Sequence, residues 1–89
     1  MPAPALPFWM RQRQIKAEPV GATALKLTAP NLPAHELVLE GGPPHWRAKL
    51  HRVSAEGAKE PLAELEFDVP LSEQAWQNAY ELYRQQVII

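Results

Sequence analysis

The chain has 89 residues, with nine Lys plus Arg, ten Asp plus Glu, a formal net charge of -1, 46% hydrophobic residues, ten Pro and no Cys. That length suits one small domain and excludes a large enzyme with a separate substrate domain and lid. The lack of Cys excludes disulfides, Cys-ligated zinc and thiol nucleophiles, and no apolar run approaches the roughly 20 residues that span a bilayer.

Residues 1–20 read as a Pro-rich arm. Pro2, Pro4, Pro7 and Pro19 resist both helix and central strand. No basic segment precedes the first apolar residues, so a signal peptide is not expected, and the chain is expected in the cytoplasm. Phe8, Trp9 and Met10 form a dense apolar patch followed by Arg11, Arg13 and Lys16. One or two helical turns fit Trp9 to Lys16, though a helix that short is marginal without something to pack against.

Residues 21–89 read as a single small domain. A strand fits Ala22–Ala29, where Leu25 and Leu27 alternate with Lys26 and Thr28. Pro30–Pro33 ends it. A second strand fits His35–Glu40, with Leu37 and Leu39 on one face, and Gly41–Pro44 breaks the chain by joining free φ to fixed φ. In the third strand Trp46, Ala48 and Leu50 alternate with Arg47, Lys49 and His51. In the fourth, Leu62–Val69, the residues Ala63, Leu65, Phe67 and Val69 alternate with Glu64, Glu66 and Asp68.

Period two on both strands predicts a cross-strand register. Setting Leu50 opposite Leu65 puts Ala48 against Phe67 and Trp46 against Val69. The other face then pairs Arg47 with Asp68, Lys49 with Glu66 and His51 with Glu64. One register satisfies both faces, and a one-residue slip would spoil both. The neighbouring hairpins predict Leu39 facing Trp46, Leu37 facing Ala48, Leu27 facing Leu37 and Leu25 facing Leu39.

After Pro70 a helix follows. Ser72 is placed to cap it, Glu73 suits its first turn, and Arg84 suits its last. Trp76, Ala79, Tyr80, Tyr83 and Val87 recur at helical spacing and form the stripe that covers the sheet. Val87, Ile88 and Ile89 are placed to finish the core, extend an edge or meet another chain. The expected fold is therefore α+β: a four-stranded antiparallel meander packed by one C-terminal helix and preceded by the arm.

Chemical motifs are sparse. Gly41-Gly42 runs into two prolines, which supply no backbone N–H for a phosphate cradle. His35, His45 and His51 match no compact zinc spacing, and exposed or ion-paired roles are expected for them. No cofactor or metal is expected. Basic residues opposite Glu64, Glu66 and Asp68 argue against a general acid and for a salt-laced sheet face. Ser54 and Ser72 lack a base and orienter.

Charge is divided unevenly: residues 1–34 carry +3 and residues 35–89 carry -4. Trp, Met and Arg are enriched at protein interfaces. The expected function is thus a non-enzymatic protein-interaction module, an accessory subunit or adaptor that binds a protein or a second copy of itself. Phe8, Trp9, Met10, Arg11 and Arg13 are the expected contact residues. Arg47, Lys49, His51, Glu64, Glu66 and Asp68 form a possible electrostatic surface. The alternative is a small nucleic-acid-binding regulator using the basic arm together with Arg47, Lys49 and Arg52.

Overall fold

The computed structural model describes residues 6–88. A short helix α1 (Phe8–Gln12) leads into strands β1 (Lys16–Gly21), β2 (Ala24–Ala29), β3 (Leu32–Gly42), β4 (His45–Val53) and β5 (Lys59–Asp68). Helix α2 (Ser72–Tyr83) follows, extended by a π-helical turn over Arg84–Ile88. All five strands pair antiparallel with their sequence neighbours, in the order β1-β2-β3-β4-β5.

The expected four-strand meander is thus corrected to five strands. The additional strand, β1, lies within residues 1–20, the stretch read as an arm. Pro19 does not prevent it, because a strand needs a full set of backbone donors only when it is paired on both sides. β1 is at the border of the sheet and, among the described residues, pairs only with β2, with an irregularity between Pro19 and Gly21. Residues 1–5, with Pro2 and Pro4, and Ile89 lie outside the described residues.

The faces are as expected, but the predicted registers are displaced by two residues, and by three at His51, where β5 bulges. Leu50 pairs with Ala63, Ala48 with Leu65 and Trp46 with Phe67. Leu37 pairs with Leu50, Leu39 with Ala48 and Leu25 with Leu37. Alternation fixes only the parity of a register, and turn geometry selects among the options that share it. Here the β3–β4 hairpin turns tightly over Pro43 and Pro44, so Gly42 already pairs with His45. Gly41 takes a φ of +95°, and a Cβ there would lie 2.4 Å from the His45 carbonyl oxygen. Only glycine fits that approach.

Helix α2 lies across the inner face. Ala75, Trp76, Ala79, Tyr80, Leu82 and Tyr83 are buried, and they meet Leu25, Leu27, Leu37, Leu39, Ala48 and Leu50 in one core. Residue 71 rather than Ser72 occupies the N-cap position, with no side-chain cap bond. Arg84 pairs with Glu81 across one turn.

The short helix α1 is held by packing, as its length demands. Met10 is fully buried and Ile15 nearly so. The Trp9 ring stacks on Tyr83 with centroids 6.4 Å apart, while His35 meets Tyr83 edge-on at 5.5 Å. Tyr83 therefore joins α1, α2 and β3. Gln14, at φ 60°, ends the helix in the left-handed region and turns the chain into β1.

Candidate functional site

The outer face of the sheet carries the charges that alternation assigned to it. Arg47 Nε lies 3.1 Å from Glu64 and donates a 3.0 Å hydrogen bond to Glu66, with which its guanidinium makes a second contact. The hydrogen bond to Glu66, then the charges of Glu66 and Glu64, push the Arg47 pKa further up. Lys49 reaches Glu40 at 3.0 Å, and Lys59 reaches Glu36 at 2.9 Å. His45 Nδ1 lies 2.9 Å from Asp68. On the other face, beside buried His35, Arg52 pairs with Glu60 at 2.7 Å.

The two-residue displacement re-sorts the anticipated partners. Arg47 takes Glu66 as its cross-strand neighbour in place of Asp68, Lys49 takes Glu64, and Asp68 falls to His45. Opposite His51 stands Pro61, because β5 has a bulge between Ala63 and Pro61. Arg47, Lys49, Glu64, Glu66 and Asp68 thus lie on one face, with His51 standing apart from the carboxylates of β5.

The N-terminal patch is divided by the fold. Phe8 is 68% exposed, and Arg11 and Arg13 are exposed. Met10, expected as a contact residue, is instead part of the core, and Trp9 is half-buried on Tyr83. One turn of helix explains the split: residues two apart point to different sides, so Met10 faces the core while Phe8 and Arg11, three apart, share the exposed side.

His45 is exposed and ion-paired, as expected, but His35 is not. It shares the parity of Leu37 and Leu39 and is 2% exposed. Burial pushes its pKa down, assisted by the charge of Arg52 and opposed by the Pro33 backbone. Its Nδ1 and the Tyr83 hydroxyl are buried without hydrogen-bond partners among the described residues. Burial also pushes the Tyr80 and Tyr83 pKa values up. Among the described residues no cluster of three or more His, Asp or Glu is arranged to hold a metal ion.

One feature was not anticipated. β5 is the last strand of the sheet, and its side away from β4 has no strand neighbour among the described residues. Leu65, expected under the helix, is 41% exposed, Leu62 is 36% exposed, and Leu71 just beyond the strand is 58% exposed. On the other face of β5 stand Glu64, Glu66 and Asp68. Glu66 and Asp68 also border a shallow depression of about 380 Å³ that extends to Trp46 and Glu40.

The exposure has a dimensional cause. Five strands at about 4.8 Å spacing make a sheet roughly 20 Å wide, whereas a helix with its side chains is about 10 Å across. One helix cannot cover such a face. Here α2 packs on β3 and β4, and α1 with the π-helical turn completes the core, leaving the β5 border open. The strand count and the single helical stripe carried that signal.

Comparison with known proteins finds no matching family model, no matching curated protein and no matching solved structure. No helix among the described residues is long and apolar enough to cross a membrane.

Proposed function

We propose that this chain is a non-enzymatic protein-interaction module that binds by accepting a partner's strand on the free edge of β5. The observation that carries this reading is the run from Leu62 to Asp68. It borders the sheet, shows exposed leucine side chains and contains no proline. Along such an edge, alternate backbone N–H and C=O groups point away from the sheet and are free to pair with an added chain. Strand addition uses those groups for affinity and the alternating side chains for selectivity.

Phe8, Arg11 and Arg13 supply a second, smaller contact in this reading. Removing residues 1–16 is not a clean test of it, because Met10 and Ile15 belong to the core. Point variants separate the two surfaces. Leu65→Lys should abolish capture of a strand-forming peptide. Phe8→Ala with Arg13→Glu should weaken capture of a whole-protein partner and leave the peptide unaffected. Unchanged peptide binding by Leu65→Lys contradicts the reading.

The alternative, nucleic-acid binding, has one observation in its favour. Arg47, Lys49, Arg52 and Lys59 are all engaged by carboxylates, whereas no ion pair is seen for Arg11, Arg13, Lys16 or Lys26 among the described residues. A salt series with a fluorescent oligonucleotide tests it. Binding that weakens steeply with salt and is lost on Arg11→Glu with Arg13→Glu supports it, and no binding at low salt removes it.

A further inference from the structure

Building on the proposal that β5 accepts a strand, we infer that the occupant is an extended segment of another protein in which basic residues alternate with apolar ones. Its basic side chains lie on the open face of the sheet and its apolar ones on the helix side. The inference rests on the two faces of β5, which ask for different chemistry from an added strand.

The open face is short of positive charge at this border. Glu64, Glu66 and Asp68 stand in a row, and the cations that meet them are Arg47, shared between Glu64 and Glu66, and His45, which pairs with Asp68. Lys49, the next cation inward, is engaged by Glu40. Three carboxylates therefore meet one guanidinium and one imidazole. The Glu66 and Asp68 side chains are 67% and 69% exposed, so a strand laid alongside would bring its own side chains beside them. Lys or Arg at the facing positions completes the row.

The helix side asks for the opposite. Leu65 and half-buried Phe67 share the face of Ala48 and Leu50 and end at the open border. Apolar residues at the intervening positions of the partner would continue this layer. The run from Leu62 to Asp68 is about 23 Å long at roughly 3.3 Å per residue, enough for a partner strand of about seven residues.

A second copy of this chain fits less well on each route. Pairing β5 with β5 of a copy, inner faces together, sets the carboxylates of one strand among those of the other, and like charges opposite one another disfavour a sheet. Pairing β5 with β1 of a copy meets Pro19, which has no N–H to offer, and the irregularity beside it.

The test is an NMR titration of the full chain with three capped seven-residue peptides. One alternates Lys and Val, one alternates Glu and Val, and one holds the Lys and Val residues in two blocks. The alternating Lys/Val peptide should shift and protect β5 amides and bind at least about tenfold more tightly than the other two. Glu64→Lys with Glu66→Lys should transfer the preference to the Glu/Val peptide. Leu65→Lys, at an exposed site, should weaken both while leaving the fold intact by circular dichroism.

If β5 is protected equally by the Lys/Val and Glu/Val peptides, the basic character of the partner is wrong and strand addition at β5 stands. If no peptide protects β5, both fall. If the free chain is a dimer that Leu65→Lys dissolves, the occupant is a second copy and the inference is overturned.

Discussion

The two borders of the sheet are built differently. β1 has six residues, with Pro19 in its middle and an irregular register after it, and its open face mixes Lys16 with Glu18. β5 has ten residues, and its only proline, Pro61, sits beside the bulge at Leu62 near its start, leaving Ala63–Asp68 uninterrupted. Proteins commonly blunt a sheet border with proline, a bulge, short length or charge. β1 uses the first three. β5 has its proline and bulge at its start, and from Ala63 to Asp68 it uses only charge, of a single sign. A proline takes one backbone donor from a border, whereas in the proposed reading a row of carboxylates disfavours acidic strands and its own copies while admitting basic ones. On the proposed reading, the contrast is between a closed border and a selective one.

The largest effect is expected where the closed side is anchored. Tyr83 lies between Trp9 and His35 and is completely buried. Tyr83→Ala should cost about 3–5 kcal/mol, as aromatic truncations in cores do, measured by urea unfolding. It should also loosen α1, so that β1 amides lose more hydrogen-exchange protection than β5 amides.

Gly41→Ala should cost about 1–3 kcal/mol, because the added methyl combines a positive φ with a backbone collision. It should disturb the His45 end of β4 and hence the Asp68 end of β5. Gly42→Ala has open space and should fall well below it. Comparable urea midpoints for the two variants would contradict the tight approach at Gly41.

The pH dependence should come from the buried rings rather than from either border. The folded pKa of His35 lies below its ordinary value of 6.5, so the unfolded chain binds more protons as pH falls. Stability from this residue is complete above pH 6.5 and declines as pH drops towards the folded value. Tyr80 and Tyr83 act at the other end: their pKa values are raised above 10, so stability falls as pH rises past 10. His35→Phe should flatten the acid limb of a denaturation profile taken from pH 7.5 to 5. An unchanged limb would place its origin elsewhere.

The smallest stability effects are expected at the borders themselves. Leu65→Lys and Val20→Lys replace side chains that are 41% and 50% exposed. Each should change stability by no more than about 0.5 kcal/mol. Their effects on peptide capture should differ sharply, with loss for Leu65→Lys and none for Val20→Lys. Equal effects on binding would erase the distinction between the borders.

Much of the fold was legible in alternation. Trp46, Ala48 and Leu50 against Arg47 and Lys49, and Leu65 and Phe67 against Glu64 and Glu66, assigned each strand its faces correctly. The α2 stripe of Trp76, Ala79, Tyr80 and Tyr83 was equally clear. Registers were not, because a shift of two residues preserves every face and only the hairpin geometry at Pro43-Pro44 decides it. β1 was hidden because Ala17, Pro19 and Gly21 are weak strand formers that pair only once they reach a sheet border. Met10 looked like part of an exposed anchor because nothing local shows that Tyr83, more than seventy residues later in the chain, receives its neighbour Trp9. The β5 edge was missed for a related reason. Alternation tells which face of Leu65 is apolar, and only the width of the finished sheet tells whether a helix covers it.

The most direct measurement is amide hydrogen exchange at β1 and β5 with and without the alternating Lys/Val peptide. Strand addition at the selective border predicts slowed exchange at alternate β5 amides from Leu62 to Asp68, with β1 unchanged. Protection at β1, or none at β5 under saturating peptide, would contradict it.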